Sequence, residues 1–336
     1  MKIPELRPIS PAEGEQVSLL RPDWRQLVER RRACRFHEGE MRENLHFPLP
    51  VRFAWSGGTP PFTLEVTGED TFDRRVFSDL PEREAEVFNL ETGAHYAWSV
   101  ADTAGRRAGG VFFTAPGFRL IAPPEREGGP VNLRDLGGLA STFGGRVRQD
   151  LVYRGSELNW EKRYSEANRD FMVRELKIRT ELDLRYESQI AKAGQTESSF
   201  GPGVNWVRVP LNAYRAFEPD QSPLFRDAVR LFAHRENYPI FIHCGGGVDR
   251  TGEIAFLLNA LAGVADANLL NEYETSSLCY FPRSRDIAYF AEWRRTLLSF
   301  AAPGAPYREA AEHYLFSIGV TTAEVAAIRA ILIARI

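Results

Sequence analysis

The chain has 336 residues, with 42 basic and 45 acidic side chains and a net charge of −3. That length suits two or three domains, and the interspersed charges argue against a nucleic-acid partner or a charged membrane surface. The composition, 43% hydrophobic and 26% charged, belongs to soluble globular domains rather than to disordered or membrane-spanning chains.

Residues 1–45 read as an N-terminal helical or extended segment. Within it DWRQLVERRRACR (23–35) is a helical stretch that Asp23 would cap, and Arg30, Arg31, Arg32 and Arg35 form a solvated basic face. The opening MKIPELRPISPAEGEQ lacks the apolar stretch of a signal peptide. No apolar run reaches the roughly 18 residues of a membrane span, so a cytoplasmic location is expected. Cys34, Cys244 and Cys279 are too few, and odd in number, for a disulfide framework, which also fits a reducing compartment.

Residues 46–118 break into short β-type runs between turn residues: VRFAWS (51–56), FTLEVTG (62–68), REAEVFNL (83–90) and VFFTAP (111–116). Period-two alternation with a turn every few residues predicts an all-β sandwich, with Trp55, Tyr96 and Trp98 in its core. ETGAHYAWSV (91–100) together with GGVFFTAP (109–116) resembles a fibronectin type III or immunoglobulin-like domain. No catalytic constellation is visible there, so packing, orientation, partner binding or a dimer contact is its expected role. FRLIAPPEREGGP (118–130) has the composition of a linker or a first edge segment.

From 119 to 336 the pattern becomes α/β. DLVYRG (150–155), IRTELDL (178–184), NWVRVPL (205–211) and YPIFIHC (238–244) read as strands. SEANRDFMVREL (165–176), SPLFRDAVRLFAHRE (222–236) and RTGEIAFLLNALAG (250–263) read as helices. Such alternation predicts a largely parallel central sheet. Three more helical runs, 285–300, 306–319 and 322–336, form a helical C-terminus, with Gly319 ending one helix and Thr321 or Thr322 starting the next.

The segment HCGGGVDRTG (243–252) joins an apolar strand to a helix. A loop in that position can aim several backbone N–H groups at one point, where the helix dipole adds partial positive charge, and the product is an anion site. Gly245, Gly246 and Gly247 would curl through positive φ and let the backbone approach the anion. A cysteine at such a loop is favoured as thiolate, the nucleophilic form. Arg250, six positions on, has the planar fork that grips phosphate with two parallel hydrogen bonds. The Thr251 hydroxyl is placed to donate to the cysteine sulfur.

These residues are similar to the His-Cys-five-residues-Arg-Thr signature of the protein tyrosine phosphatase superfamily. VNLRDLGGL (131–139), LVYRGSELN (151–159), IRTELDLRYESQ (178–189) and HYLFSIGVTTAEVAAIRAIL (313–332) resemble, in the same order, segments of the bacterial tyrosine phosphatases related to secreted and lipid-active phosphatases. The resemblance implies a hydrolase that dephosphorylates through a phosphocysteine intermediate, with a phosphate-binding P-loop. It implies Cys244 as nucleophile, Arg250 as phosphate clamp, the 245–250 amides (with Val248 among them) as cradle and His243 as a structural residue orienting the loop. Asp249 matches a general acid and base, and Asp183 a second acid. Asn132, Arg134, Asp135 and Arg154 would border the substrate pocket.

Related lipid-active members commonly carry lysine where this chain has Val248, which argues against multiply phosphorylated lipid or inositol substrates; phosphotyrosine is expected foremost, with dual-specificity or phosphoinositide substrates left open. A phosphorylated protein or another phosphate ester is the implied partner, and no cofactor or metal is called for. The alternatives are a phosphate-binding pseudophosphatase acting as an interaction module and, last, a rhodanese-like sulfur transferase. Asp249 could instead cap its helix, and Asp183 could pair with Arg154 or Arg185. Tyr153, Trp160 and Tyr214 read as core or pocket wall.

Overall fold

A computed structural model describes residues 4–29, 47–69, 71, 73–125, 129–158, 164–279 and 287–334. Arg30, Arg31, Arg32, Cys34, Arg35 and Trp160 lie outside the described residues. The chain divides into two compact units, Met1–Pro22 with Phe47–Ile121, and Asp23–His46 with Ala122–Ile336.

The first unit contains β1 (Arg7–Ser10), β2 (Glu15–Val17), β3 (Val51–Ser56), β4 (Phe62–Gly68), β5 (Arg74–Leu80), β6 (Glu84–Val87), β7 (His95–Ala101), β8 (Arg107–Thr114) and β9 (Arg119–Leu120). One sheet runs β1-β3-β6 and the other β2-β8-β7-β4-β5. Alternate residues of β3, β4 and β7 are buried, as period-two side-chain placement requires of strands with one face on a core. That core gathers Phe53, Trp55, Phe62, Leu64, Tyr96, Trp98 and Phe112. Phe53 meets Trp98 edge-on at 5.3 Å, and Tyr96 stacks on Phe112 at 5.4 Å.

The N-terminal segment supplies two strands to this unit. Its β1 pairs antiparallel with β3, and β2 pairs parallel with β8, while Leu6 and Leu19 enter the core. Strands of four and three residues are too short to show periodicity, so only their pairing reveals them. The helix expected over 23–35 appears as α1 (Pro22–Glu29).

The second unit contains β10 (Arg134–Asp135), β11 (Arg146–Val147), β12 (Val152–Gly155), α2 (Glu166–Asp170), β13 (Thr180–Asp183), α3 (Glu187–Lys192), β14 (Asn205–Arg208), α4 (Ser222–Arg230), β15 (Ile240–His243), α5 (Asp249–Leu261), α6 (Asp266–Glu274), α7 (Ser276–Cys279), α8 (Ala288–Leu298), α9 (Tyr307–Ser317), α10 (Thr322–Leu332) and β16 (Ile333–Ala334). Its central strands lie in the order β14-β13-β15-β12-β10. The first four are mutually parallel and β10 is antiparallel to β12. No helix among the described residues is long and apolar enough to cross a membrane.

Two features of this unit position the site. Strand β15, IFIH, is buried at all four residues, which fits a central parallel strand covered on both faces. It inserts between β12 and β13, so chain connections diverge at its C-terminal end, and such a crevice is where open α/β sheets bind ligands. Helix α5 follows directly and is buried along almost its whole length, packed against α6 and α9. Thr321 caps α10 by accepting the Glu324 N–H, and Gly319, at φ +97°, follows the end of α9.

Candidate active site

Cys244 directly follows β15, and residues 245–248 carry the chain to α5. Every loop carbonyl is tied back into the protein. The Glu157 N–H donates to the Gly245 oxygen at 2.8 Å. Asn132 Nδ2 donates to the Gly246 and Gly247 oxygens at 3.3 and 2.9 Å. Arg154 Nη2 donates to the Gly247 and Val248 oxygens at 2.7 and 3.3 Å. With the carbonyls turned away, the amides of 245–248 find no acceptor among the described residues. Val248 is the N-cap of α5 and makes no side-chain capping bond, so the helix dipole points into the same loop. This is the arrangement of an anion cradle with a thiol at its start.

Of the three glycines only Gly247 has positive φ, +64°, which corrects the expectation for Gly245 and Gly246. A Cβ on Gly247 would lie 1.9 Å from the Gly155 carbonyl oxygen. Close approach to the end of β12, as well as backbone conformation, therefore demands glycine there.

Asn132 and Arg154 bond the loop carbonyls, and Arg134 stands beside them, bonded to Asn132. Both arginines are wholly buried. Glu272 on α6 joins them, taking Arg134 Nε at 2.7 Å and Arg154 Nη1 at 2.8 Å. Arg134 also donates to Asn132 Oδ1 at 2.5 Å and Ser276 Oγ at 3.0 Å. Asn132 adopts φ +61°, a conformation asparagine tolerates, and so turns its amide toward the loop. Burial would raise the Glu272 pKa, but the two guanidinium groups reverse this and hold it below the usual carboxylate value. Burial, assisted by Arg134, pushes Arg154 down to about 10, still cationic at neutral pH. Asp135 is a turn fixture: its carboxylate accepts the N–H groups of Gly137 and Asp150.

Arg250 lies half-buried at the first turn of α5, with Nη2 3.9 Å from the position of a Cβ on Gly245. Its Nη1 donates to the Leu184 carbonyl and to Gln189 Oε1, both at 3.0 Å, and the Tyr186 ring lies 4.8 Å from its Cζ. The guanidinium is thus set at the cradle by residues that follow β13. Thr251 is buried, and its Oγ1 has no hydrogen-bond partner, so the expected bond to the cysteine sulfur is not formed.

The two candidate acids part company. Asp249 is half-buried and is the first residue of α5, not its cap. Its Oδ1 accepts the Tyr214 hydroxyl, and Tyr273 lies at 3.4 Å. Tyr214 is therefore a polar partner rather than plain pocket wall. Asp183 is fully buried and held by Arg185 through both carboxylate oxygens, at 2.9 and 2.7 Å, with Trp206 Nε1 at 3.3 Å. Burial would raise its pKa, but His243 and Arg185 outweigh that and hold it at about 2. Both observations describe Asp183 as a partner in a buried ion pair. Its pairing with Arg185, not with Arg154, is the alternative that the structure contains.

His243 stands beneath the loop, with Nε2 2.9 Å from Glu181 Oε1 and Nδ1 3.3 Å from the Cys244 carbonyl. Burial would lower its pKa, yet Asp183 and Glu181 prevail and raise it. Donor atoms of Glu181, Asp183 and His243 lie within 4.8 Å of one another, a metal-like cluster that sequence spacing did not reveal. Those donors are already engaged: Glu181 by His243, Ser198 and Ser199, and Asp183 by Arg185. The set is a hydrogen-bonded support beneath the loop.

Sequence reasoning missed Glu272, Glu253, Tyr273 and Gln189. Glu253 did carry a signal, being the sole charged residue in the mostly apolar stretch 252–263. Glu272 lies 118 positions from Arg154, and no local pattern connects the two.

A family model described as the tyrosine phosphatase family matches residues 128–334. A protein of Cupriavidus necator named as a tyrosine-protein phosphatase is 29% identical over 171 residues, covering 44% of this chain. The match spans 60% of that relative's length. The core catalytic domain of the PP-IP phosphatase SIW14 from S. cerevisiae, solved in complex with citrate, aligns at 20% identity and TM-score 0.32 over 51% of this chain and 93% of that one. A second structure of the Siw14 catalytic core aligns at 20% identity and TM-score 0.28, over 43% and 86%. With the family model matching more than half of its length, the chain belongs to the tyrosine phosphatase family.

Proposed function

We propose that the chain hydrolyses phosphate monoesters, phosphotyrosine foremost, through a phosphocysteine intermediate on Cys244. The observation that carries this reading is the turned-back loop beside Cys244, in which the 245–248 carbonyls are bonded to the protein and the amides find no acceptor among the described residues. The Cys244 thiolate attacks phosphorus in line, and the bond to the leaving oxygen breaks while Asp249 gives that oxygen its proton. Loop amides and Arg250 stabilise the charge on the equatorial oxygens. Water then attacks the phosphocysteine, Asp249 takes its proton, and the P–S bond breaks to return the thiolate with inorganic phosphate. Besides water, every step uses groups of the chain itself, side chains and loop amides.

The aromatic face of Tyr186 beside Arg250 favours an aryl phosphate. Val248, where related lipid-active members have lysine, favours a singly phosphorylated group over a highly charged one. The sandwich unit is assigned as a fibronectin III-like module that binds a partner, and the location as cytoplasmic.

The test is hydrolysis of p-nitrophenyl phosphate with EDTA present, by the wild type and Cys244→Ser. Turnover is expected in the wild type and lost in the variant, which should still bind vanadate. A folded wild type that binds vanadate without turnover from mildly acidic to mildly basic pH would make the chain a phosphate-binding pseudophosphatase.

A further inference from the structure

Helix α5 holds a carboxyl that the proposed reaction does not use. Glu253 lies one helical turn after Asp249, on the same face, and is 0% exposed. Around it Ile254, Ala255, Phe256, Leu257 and Leu258 are buried, and an unpaired carboxylate in such surroundings is costly. Its Oε1 accepts the backbone N–H of Tyr214, while Oε2 has no partner. Burial above all raises its pKa well above the carboxylate range, and the nearby Asp249 and Cys244 act in the same direction, against Tyr214 N–H and Arg250. A neutral carboxyl can hold the Tyr214 amide without setting another negative charge beside the thiolate.

Tyr214 is consequently gripped twice by one helix. Glu253 takes its N–H and Asp249 takes its hydroxyl. The hydroxyl also lies 2.5 Å from that of Tyr273, and the ring stacks on Tyr289 at 6.0 Å. Tyr214 has φ +61°, a left-handed conformation unfavourable for a bulky residue. Such a backbone persists where its surroundings impose it, and those surroundings here are its two carboxyl partners.

We propose that Glu253 is a positioning residue for the proton-transfer step: it pins the Tyr214 backbone so that the Tyr214 hydroxyl orients the Asp249 carboxyl toward the leaving oxygen. This rests on Asp249 as the general acid. A side chain that merely filled the core would affect all substrates alike, whereas an acid-positioning residue matters most where the leaving group needs a proton.

The experiment compares p-nitrophenyl phosphate with phenyl phosphate for the wild type, Asp249→Asn, Tyr214→Phe, Glu253→Gln, Glu253→Leu and Glu253→Met, with melting temperatures taken first. Asp249→Asn is expected to lose on the order of 10²-fold more on phenyl than on p-nitrophenyl phosphate. Tyr214→Phe and the two apolar Glu253 variants are expected to lose about tenfold more on phenyl phosphate, as misplacement of a catalytic group does. Glu253→Gln keeps an acceptor for the Tyr214 N–H and should behave as wild type. Combining Tyr214→Phe with Glu253→Met should add no further selectivity, since both cut one linkage. A folded Glu253→Leu or Glu253→Met with wild-type leaving-group dependence, beside a selective loss in Asp249→Asn, overturns the proposal while sparing the acid assignment. If Asp249→Asn is itself unselective, the acid assignment fails and takes the proposal with it. Should both apolar variants fail to fold, Tyr214→Phe decides, and unchanged selectivity there overturns it.

Discussion

Replacing Glu272 by glutamine should separate a braced loop from a merely buried one. Glu272 is the shared partner of Arg134 and Arg154, at 2.7 and 2.8 Å, and all three side chains are at most 3% exposed. Glutamine keeps the shape and one acceptor oxygen but removes the negative charge, leaving two buried guanidinium groups without their counterion. Breaking a buried pair in this way costs about 3–5 kcal/mol, a large part of a typical stability of roughly 5–15 kcal/mol. For a unit of this size each kcal/mol moves the melting temperature by about 2–4 °C, so a drop of roughly 6–20 °C is expected at neutral pH. Arg154 also holds the Gly247 and Val248 carbonyls, so vanadate affinity should fall along with stability. The Glu272 pKa lies below its ordinary 4.5 in the folded state, so its contribution is present above that value and lost as pH falls through the folded pKa. The gap between wild type and variant should therefore narrow in acid. Scanning calorimetry across pH, with vanadate titration, reads all three effects. A variant melting within about 2 °C of wild type at neutral pH would refute the bracing argument, because a loss that small excludes an uncompensated buried charge.

Gly247→Ala should give a folded protein with little phosphatase activity, since the added carbon would sit 1.9 Å from the Gly155 oxygen and the loop must shift. Gly245→Ala meets nothing closer than 3.8 Å and should retain far more activity, and the ratio of their turnover rates on p-nitrophenyl phosphate is the check. For Asp183, a folded pKa of about 2 against 3.8 means that its ion pair stabilises above 3.8 and is lost as pH falls toward 2. That linkage is worth about 2 kcal/mol. Asp183→Asn should thus lose stability at neutral pH, show a weaker acid-induced loss than wild type, and leave phenyl and p-nitrophenyl phosphate equally affected. A selective loss on phenyl phosphate would make Asp183 the acid.

What was legible in the sequence was local. The buried strand IFIH, the glycine run and the arginine opening a helix are neighbours in the chain, and together they specify an anion-binding loop at a strand end. The alternation in VRFAWS and FTLEVTG likewise marks strands lying on a core. The short strands β1 and β2 carried no such pattern, and their place depends on pairing with residues more than forty and ninety positions away.

The candidate roles of polar residues divided on the same line. Cys244 and Arg250 could be read from their setting, because only five residues separate them. Asp183 and Asp249 looked alike in sequence, each an acid near a strand or helix end. Tertiary structure separated them by giving Asp183 a guanidinium and a histidine ring in a buried setting and giving Asp249 two tyrosine hydroxyls near the cradle. Arg134 and Arg154 read as pocket residues in the sequence, and the structure adds Glu272 as their shared partner. The sequence by itself determined the chemistry on offer at the loop, because backbone conformation and nucleophile are set by adjacent residues. Only the tertiary structure decided which charges serve the reaction and which support the loop, because the energy of a buried charge depends on partners that the chain brings together from afar.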